Sequence, residues 1–309
     1  MKVAAGGGPS SLGTGPAFDP LGEPAAAADR SFGADRDWLL RFAPPSQSSA
    51  LAALFTVEHE VLASLRSGIE HRVAHLRLEW WQEELARLAT GRPRHPATRL
   101  LADAARARAA TPPDLAGLIE HVRVDLATVA FADRGELDAH LEHWARSVFR
   151  EAALCDPQLA AADPRVRATA EWLAARAGCA VRELELLTEF TRHAREGRIY
   201  TPLGDAPESY ANWSAEPLGE SERATLMHRA EGLCSVLREA AQMLDVGHRR
   251  VLRVPLLWMA FACARQVLPA DLSRGAAPVA PLRRTIGAWR DALRITRGGL
   301  PRALQMRTP

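Results

Sequence analysis

The stretch HRVAHLRLEWWQEELARLATG, residues 71–91, decides the fold class. Its Leu78, Trp81, Leu85 and Leu88 recur at steps of three and four, which lays one apolar stripe along an α-helix. Gly91 and Pro93 then close it, glycine because it enters the left-handed region freely and proline because it cannot continue the helix. Within EWWQEE, adjacent helical residues point about 100° apart. Trp80 and Trp81 therefore form no single aromatic platform and read as core packing. Glu79, Glu83 and Glu84 are expected to face solvent, with Glu83 and Arg87 as an i,i+4 pair.

The same pattern continues in both directions. SALAALFTVEHEVLASLRS (49–67) carries Leu51, Leu54, Val57, Val61 and Leu65 on one stripe. Further helices are expected over 96–110, 113–130, 135–155, 164–196, 219–246, 252–268 and 281–297. Pro112, Pro113, Pro164, Pro202, Pro207, Pro269 and Pro278 fall between these segments or at their starts. No alternating β-branched run and no fixed-period repeat appears. The expectation is an all-α fold, a single large helical bundle, with any ligand site in its interior on facing helices. Residues 1–35, rich in Gly, Ala and Pro, read as a disordered leader, 36–297 as the bundle, 298–309 as a tail, and 203–219 as a long polar loop.

Composition excludes several classes. The chain has 309 residues, 47% hydrophobic and 25% charged, with net charge +2, and shows no nucleic-acid footprint. Lys2 is its sole lysine; arginine supplies the rest of the positive charge. Cys155, Cys179, Cys234 and Cys263 form no CxxC pair, which fits a reducing compartment better than a disulfide framework or a zinc ribbon. The first residues lack the apolar segment of a signal peptide. VPLLWMAFACA (254–264) is too short to span a bilayer. A cytoplasmic location is expected, with room for peripheral membrane contact.

The chemistry-bearing constellations are sparse. His71 and His75 have the spacing of paired metal ligands but no intervening HExxH-type glutamate, and His140 and His143 in HLEH read as a solvated face. There is no P-loop lysine after AAGGGPSS and no GxSxG elbow. Glu189 and His193 remain, one helical turn apart, within LTEFTRHAREGRIYTPLGD (187–205). One carboxylate beside an imidazole suits magnesium poorly, since that ion prefers several oxygen ligands. Arg192, Arg195 and Arg198 around them would attract phosphate. The plainer reading is a solvated basic helix end complementing the helix dipole.

Three stretches, ALAALFTVEHEV, VAHLRLEWWQEELARLATGRPRHPATRLL and HAREGRIYTPLGD, carry a resemblance to the squalene/phytoene synthase family over most of residues 36–297. HWARSVF (143–149) and AWRDALR are weaker echoes. The resemblance implies an isoprenoid-synthase type of bundle with a central cavity. Catalytic members join two prenyl diphosphates head to head, with magnesium held by aspartate-rich motifs on facing helices, because a diphosphate departs only when its charge is neutralised. Where the first motif should supply acids, this chain has Leu62, Ala63 and Arg66, with Glu58 and Glu60 one turn earlier. At the second, an ungapped match places Glu189 and His193 at the acidic positions. A match through LTE and Arg192 instead puts His193 at the first aspartate. Either way His193 replaces an aspartate.

The pattern is similar to a divergent branch that lacks the aspartate motifs and includes mitochondrial complex I assembly factors. What this implies is a protein without ordinary head-to-head condensation, binding an isoprenoid or lipid, or acting as an assembly factor with a protein partner. The alternative is an active prenyltransferase of isoprenoid, hopanoid or carotenoid synthesis. The expected ligand pocket is Glu58, Leu62, Glu189, Arg192, His193, Arg198 and Tyr200, with Glu189 and His193 as the catalytic candidates. No metal or cofactor is expected, magnesium entering only with the enzyme alternative.

Overall fold

A computed structural model describes residues 30–66, 68–127, 130–160, 163–200, 202, 220–265 and 281–305; the expected loop 203–219 lies outside them. In chain order the helices are α1 (Arg30–Phe42), α2 (Pro45–Leu62), α3 (His71–Ala89), α4 (Pro96–Ala107), α5 (Ala116–Ala127) and α6 (Arg134–Trp144). Then follow α7 (Arg150–Leu154), α8 (Pro157–Ala160), α9 (Pro164–Leu173), α10 (Cys179–Thr188), α11 (Phe190–Arg195), α12 (Glu220–Gln242), α13 (Val246–Val251), α14 (Arg253–Arg265) and α15 (Pro281–Thr296). No strand occurs among the described residues, only one isolated bridge between Ala130 and Ile199. Nor is any of these helices long and apolar enough to cross a membrane.

The stripes act as read. Leu78, Trp81, Leu85 and Leu88 are buried, as are Leu51, Leu54, Val57 and Val61. Gly91 adopts φ +72°, and the turn it allows lets the amide of Arg92 donate to the carbonyl of Arg87 at 2.8 Å. Pro45, Pro96, Pro164 and Pro281 each open a helix, where a missing N–H costs nothing. α10 is the inner axis, in contact with α6, α12 and α14, while α2 lies against α4.

Several expectations need correction. The first helix begins at Arg30, inside the segment read as leader, and its Asp35 and Arg36 are buried. Trp80 is exposed while Trp81 is buried, because the 100° step carries the first ring off the stripe. Glu84 is fully buried rather than solvated. It accepts hydrogen bonds from the backbone amides of Arg94 (2.7 Å) and His95 (2.8 Å), from Thr98 Oγ1 (2.5 Å) and from Arg87 Nε (2.9 Å). The carboxylate thus satisfies donors at the start of α4, which would otherwise lack partners. Burial alone would raise its pKa, but these bonds bring it down to about 2. The Glu83–Arg87 pair forms at 3.3 Å.

The segment expected as one helix over 164–196 is subdivided. α9 widens into a π-helical turn at Ala174–Gly178, and α10 breaks at Glu189 (φ −105°) before α11. A matching π turn at Ala145–Phe149 joins α6 to α7, and the two wide turns pack together. They approach so closely that a Cβ on Gly178 would lie 2.8 Å from Ala145 Cβ. This close crossing helps bring α6 and α10 within side-chain reach of each other.

Candidate functional site

Polar groups line up through the centre of this apolar bundle. Arg36 of α1 places its guanidinium between two carboxylates from different helices. It donates to Glu58 of α2 through Nε (3.1 Å) and Nη2 (2.7 Å), and to Glu185 of α10 through Nη1 and through Nη2 (3.2 Å). The indole N–H of Trp144 donates to Glu58 Oε1 at 2.9 Å, and that of Trp258 to Glu185 Oε1 at 3.0 Å. The same indoles flank the cation, with the guanidinium carbon 4.6 Å from the Trp258 ring centroid and 5.8 Å from that of Trp144. Burial would lower the Arg36 pKa, but the Glu185 and Glu58 charges hold it above the ordinary arginine value. Burial likewise opposes ionisation of Glu185, and Arg36 followed by Arg182 reverses that, so its pKa falls.

The line continues beyond Glu185. Arg182 donates to Glu185 Oε2 at 3.3 Å and to His121 Nε2 at 3.2 Å, with its guanidinium 5.3 Å from the Trp144 centroid. His121 of α5 stacks on His140 of α6 with centroids 4.0 Å apart. Its Nδ1–H donates to the carbonyl of His140 at 3.1 Å. Asp125, one turn along α5, has Oδ1 3.2 Å from His140 Nε2 and Oδ2 3.7 Å from His121 Nε2. Burial drives the His121 pKa well down, aided by the charge of His140. Asp125 stays ionised: burial opposes this, but His121 and His140 carry its pKa below the carboxylate range. Tyr200 closes the row, its ring 6.0 Å from His140 and 4.9 Å from His193. Burial, with the Asp125 charge adding to it, pushes its hydroxyl well above the usual phenol value.

Of the expected pocket residues, Glu189, His193 and Tyr200 are buried and gather at this end of the row. His193 Nε2 lies 3.8 Å from Glu189 Oε2, and Arg192 pairs with Glu189. Burial, then the charges of Arg192 and Arg182, lower the His193 pKa to about 3, so the imidazole is neutral near pH 7. Gly197 (φ +77°) turns the chain after α11, and Arg198 then donates to the carbonyl of Leu65 at 3.4 Å, near half-buried Leu62. Glu58 stands apart from that group, at the Arg36 end. The side chain of Arg195 is outside the described ones.

Sequence reasoning missed the residues joining the two ends: Arg36, His121, Asp125, His140, Arg182 and Glu185. His140 in particular is buried, not part of a solvated face. The i,i+4 spacing of His121 and Asp125 and the i,i+3 spacing of Arg182 and Glu185 were the signals that could have found them. A separate recess of about 430 Å³ lies outside α3, lined by Glu60, Val73, Leu76, Arg77, Trp80, Trp81 and His95.

The model of the squalene/phytoene synthase family matches residues 29–290. The chain belongs to the squalene/phytoene synthase family. No curated protein and no solved structure matches it. The match begins one residue before α1 and so includes the Arg36 helix.

Squalene/phytoene synthases that condense prenyl diphosphates need magnesium, and the described residues do not fit that ion. Magnesium requires near-octahedral oxygen coordination. Glu58 and Glu185 spend their oxygens on Arg36 and the indoles, Glu189 is paired with Arg192, and His193 offers nitrogen. Arg36 already neutralises Glu58 and Glu185, which leaves neither carboxylate open to a metal.

Proposed function

We propose that this member of the squalene/phytoene synthase family does not perform magnesium-dependent head-to-head condensation. It works instead as a binding protein, holding an isoprenoid or other lipid, or as an assembly factor acting through its surface. The reading agrees with the resemblance of the sequence to the branch of the family without the aspartate motifs. One observation carries the reading: a buried guanidinium already compensates the facing carboxylates of α2 and α10. A metal would have to expel that cation, desolvate itself and rebuild the indole hydrogen bonds. An inner arginine between two glutamates is a self-contained charge group, and it leaves no open coordination position for a diphosphate oxygen.

The test is turnover. Purified protein incubated with farnesyl and geranylgeranyl diphosphates and magnesium is expected to release no pyrophosphate and form no coupled product. Magnesium-dependent release with a coupled hydrocarbon would overturn the reading, and loss of that turnover in Glu189→Ala would assign the carboxylate to it. Organic extraction followed by mass spectrometry of the purified protein then separates the two binding forms. A retained prenyl or acyl lipid supports the first form, and a stoichiometric co-purifying polypeptide supports the second.

A further inference from the structure

The junction of α5 and α6 holds a second constellation, joined to Glu185 through Arg182. His121 and Asp125 sit one turn apart on α5, and His140 reaches them from α6. All three are at most 3% exposed. Each offers one ligand atom, and these atoms all lie within 4.8 Å of one another. Asp125 meets His140 Nε2 at 3.2 Å and also engages the Tyr200 hydroxyl, while His140 Nδ1 completes no hydrogen bond among the described residues. A buried imidazole nitrogen without a partner is uncommon and points to a ligand nearby.

The spacing of these atoms suits a cation once the stacked rings tilt toward it. Zinc binds imidazole nitrogen at about 2.0–2.1 Å and carboxylate oxygen at about 2.0–2.2 Å, which puts tetrahedral donors about 3.3–3.5 Å apart. Asp125 Oδ1 lies 3.2 Å from His140 Nε2 and Oδ2 lies 3.7 Å from His121 Nε2, so each imidazole faces a different oxygen at close to that spacing. The tautomer is also set in advance. Because a carbonyl can only accept, the bond from His121 Nδ1 to the backbone of His140 fixes the proton on Nδ1 and leaves Nε2 as the acceptor, 3.7 Å from Asp125 Oδ2. This is the outer-shell arrangement that metal-bound histidines use.

We propose that His121, Asp125 and His140 form a buried three-ligand site for a divalent transition-metal ion of the zinc class, clamping α5 to α6. Two nitrogens and one oxygen select such an ion over magnesium. One group competes. Arg182 Nη2 occupies the His121 Nε2 lone pair at 3.2 Å. Metal entry turns that single N–H away while Glu185 and the Trp144 ring continue to hold the guanidinium. The site is independent of the condensation chemistry, so it stands or falls separately from the proposed function.

The experiment uses the tag-free full chain mixed with equimolar Zn²⁺, passed through a desalting column and assayed for retained metal. About one equivalent is expected. Asp125→Asn and His140→Ala are expected to lose it. Arg182→Gln, which removes the competing cation, should retain no less metal than the unsubstituted chain. His75→Ala, which breaks the exposed His71–His75 contact (2.9 Å), should change nothing. Retention well below one equivalent, or equal retention in Asp125→Asn and His140→Ala, overturns the proposal. Should those variants misfold, Co²⁺ bound to the unsubstituted chain decides. Intense low-symmetry d–d absorption is expected, and the weak spectrum of an octahedral aqua ion overturns the site.

Discussion

Replacing Arg36 with methionine tests the central charge group most directly. The substitution keeps an unbranched stem among the indoles but removes the five N–H donors. Glu58 would retain Trp144 Nε1 at 2.9 Å, and Glu185 would retain Trp258 Nε1 at 3.0 Å and Arg182 at 3.3 Å. Glu58 is therefore left worse off, a buried carboxylate held by the indole of Trp144. Removing one partner of a buried pair costs about 3–5 kcal/mol, and Arg36 serves two carboxylates, so the upper end of about 5 kcal/mol applies. Neutralising the stranded acid in Arg36→Met/Glu58→Gln should restore about 2 kcal/mol or more, since the indole can still donate to the amide oxygen. The pH dependence has opposite signs in the two proteins. In the native chain the Glu185 pKa is depressed, so its contribution is full above the unfolded carboxylate value and is lost as pH falls through the folded one. In Arg36→Met the buried acids bind protons more readily folded than unfolded, so acidification stabilises. Urea unfolding followed by circular dichroism at about pH 7.5 and about pH 5 should show the penalty shrinking. A penalty below about 1 kcal/mol, or one that widens on acidification, would refute the role of Arg36 as the charge that compensates both glutamates.

Other tests address separate parts of the fold. Gly178→Ala should cost about 1–3 kcal/mol in thermal unfolding, because the new methyl meets Ala145 Cβ at 2.8 Å and Phe149 Cβ at 3.2 Å; an unchanged midpoint would mean the crossing has slack. Glu84→Gln should destabilise by about 1–3 kcal/mol at neutral pH, its amide group facing donors it cannot accept. That deficit should vanish in acid, since Glu84 stabilises above the unfolded carboxylate value and stops doing so as pH falls through about 2. A deficit independent of pH would assign the loss to packing instead. Tryptophan fluorescence titrated with urea across that range measures it. Glu189→Ala is expected to leave the diphosphate assay as blank as the parent protein.

What could be read in the sequence was whatever repeats over a helical turn. Leu78, Trp81, Leu85 and Leu88 announced α3, and Gly91 its end, because periodicity and left-handed backbone are local properties. The missing motif acids were equally plain at Leu62 and His193. Burial of single charged residues was not legible. Glu84 looks like any exposed glutamate until the amides of Arg94 and His95 fold back onto it. Arg36 finds Glu58 22 residues away and Glu185 149 residues away, and no spacing rule links them. A Gly- and Ala-rich lead-in also concealed the start of α1. The candidate site was thus half visible: the Glu189–His193 turn from its spacing, the row connecting it to Glu58 only from tertiary packing.

The wide turn at Ala174–Gly178 bears on how relatives of this chain can vary in length. Each residue dropped from a helix rotates all that follows by about 100°. A one-codon deletion between Ala174 and Gly178 would tighten the wide turn to an ordinary α turn and keep Arg182 and Glu185 facing the core, whereas one between Cys179 and Arg182 would swing both off it together. Homologous sequences should therefore keep the stretch from Cys179 to Thr188 at constant length and place their insertions and deletions in the wide turns and the exposed links. A gap inside that stretch would mark a lineage in which the buried row has been lost.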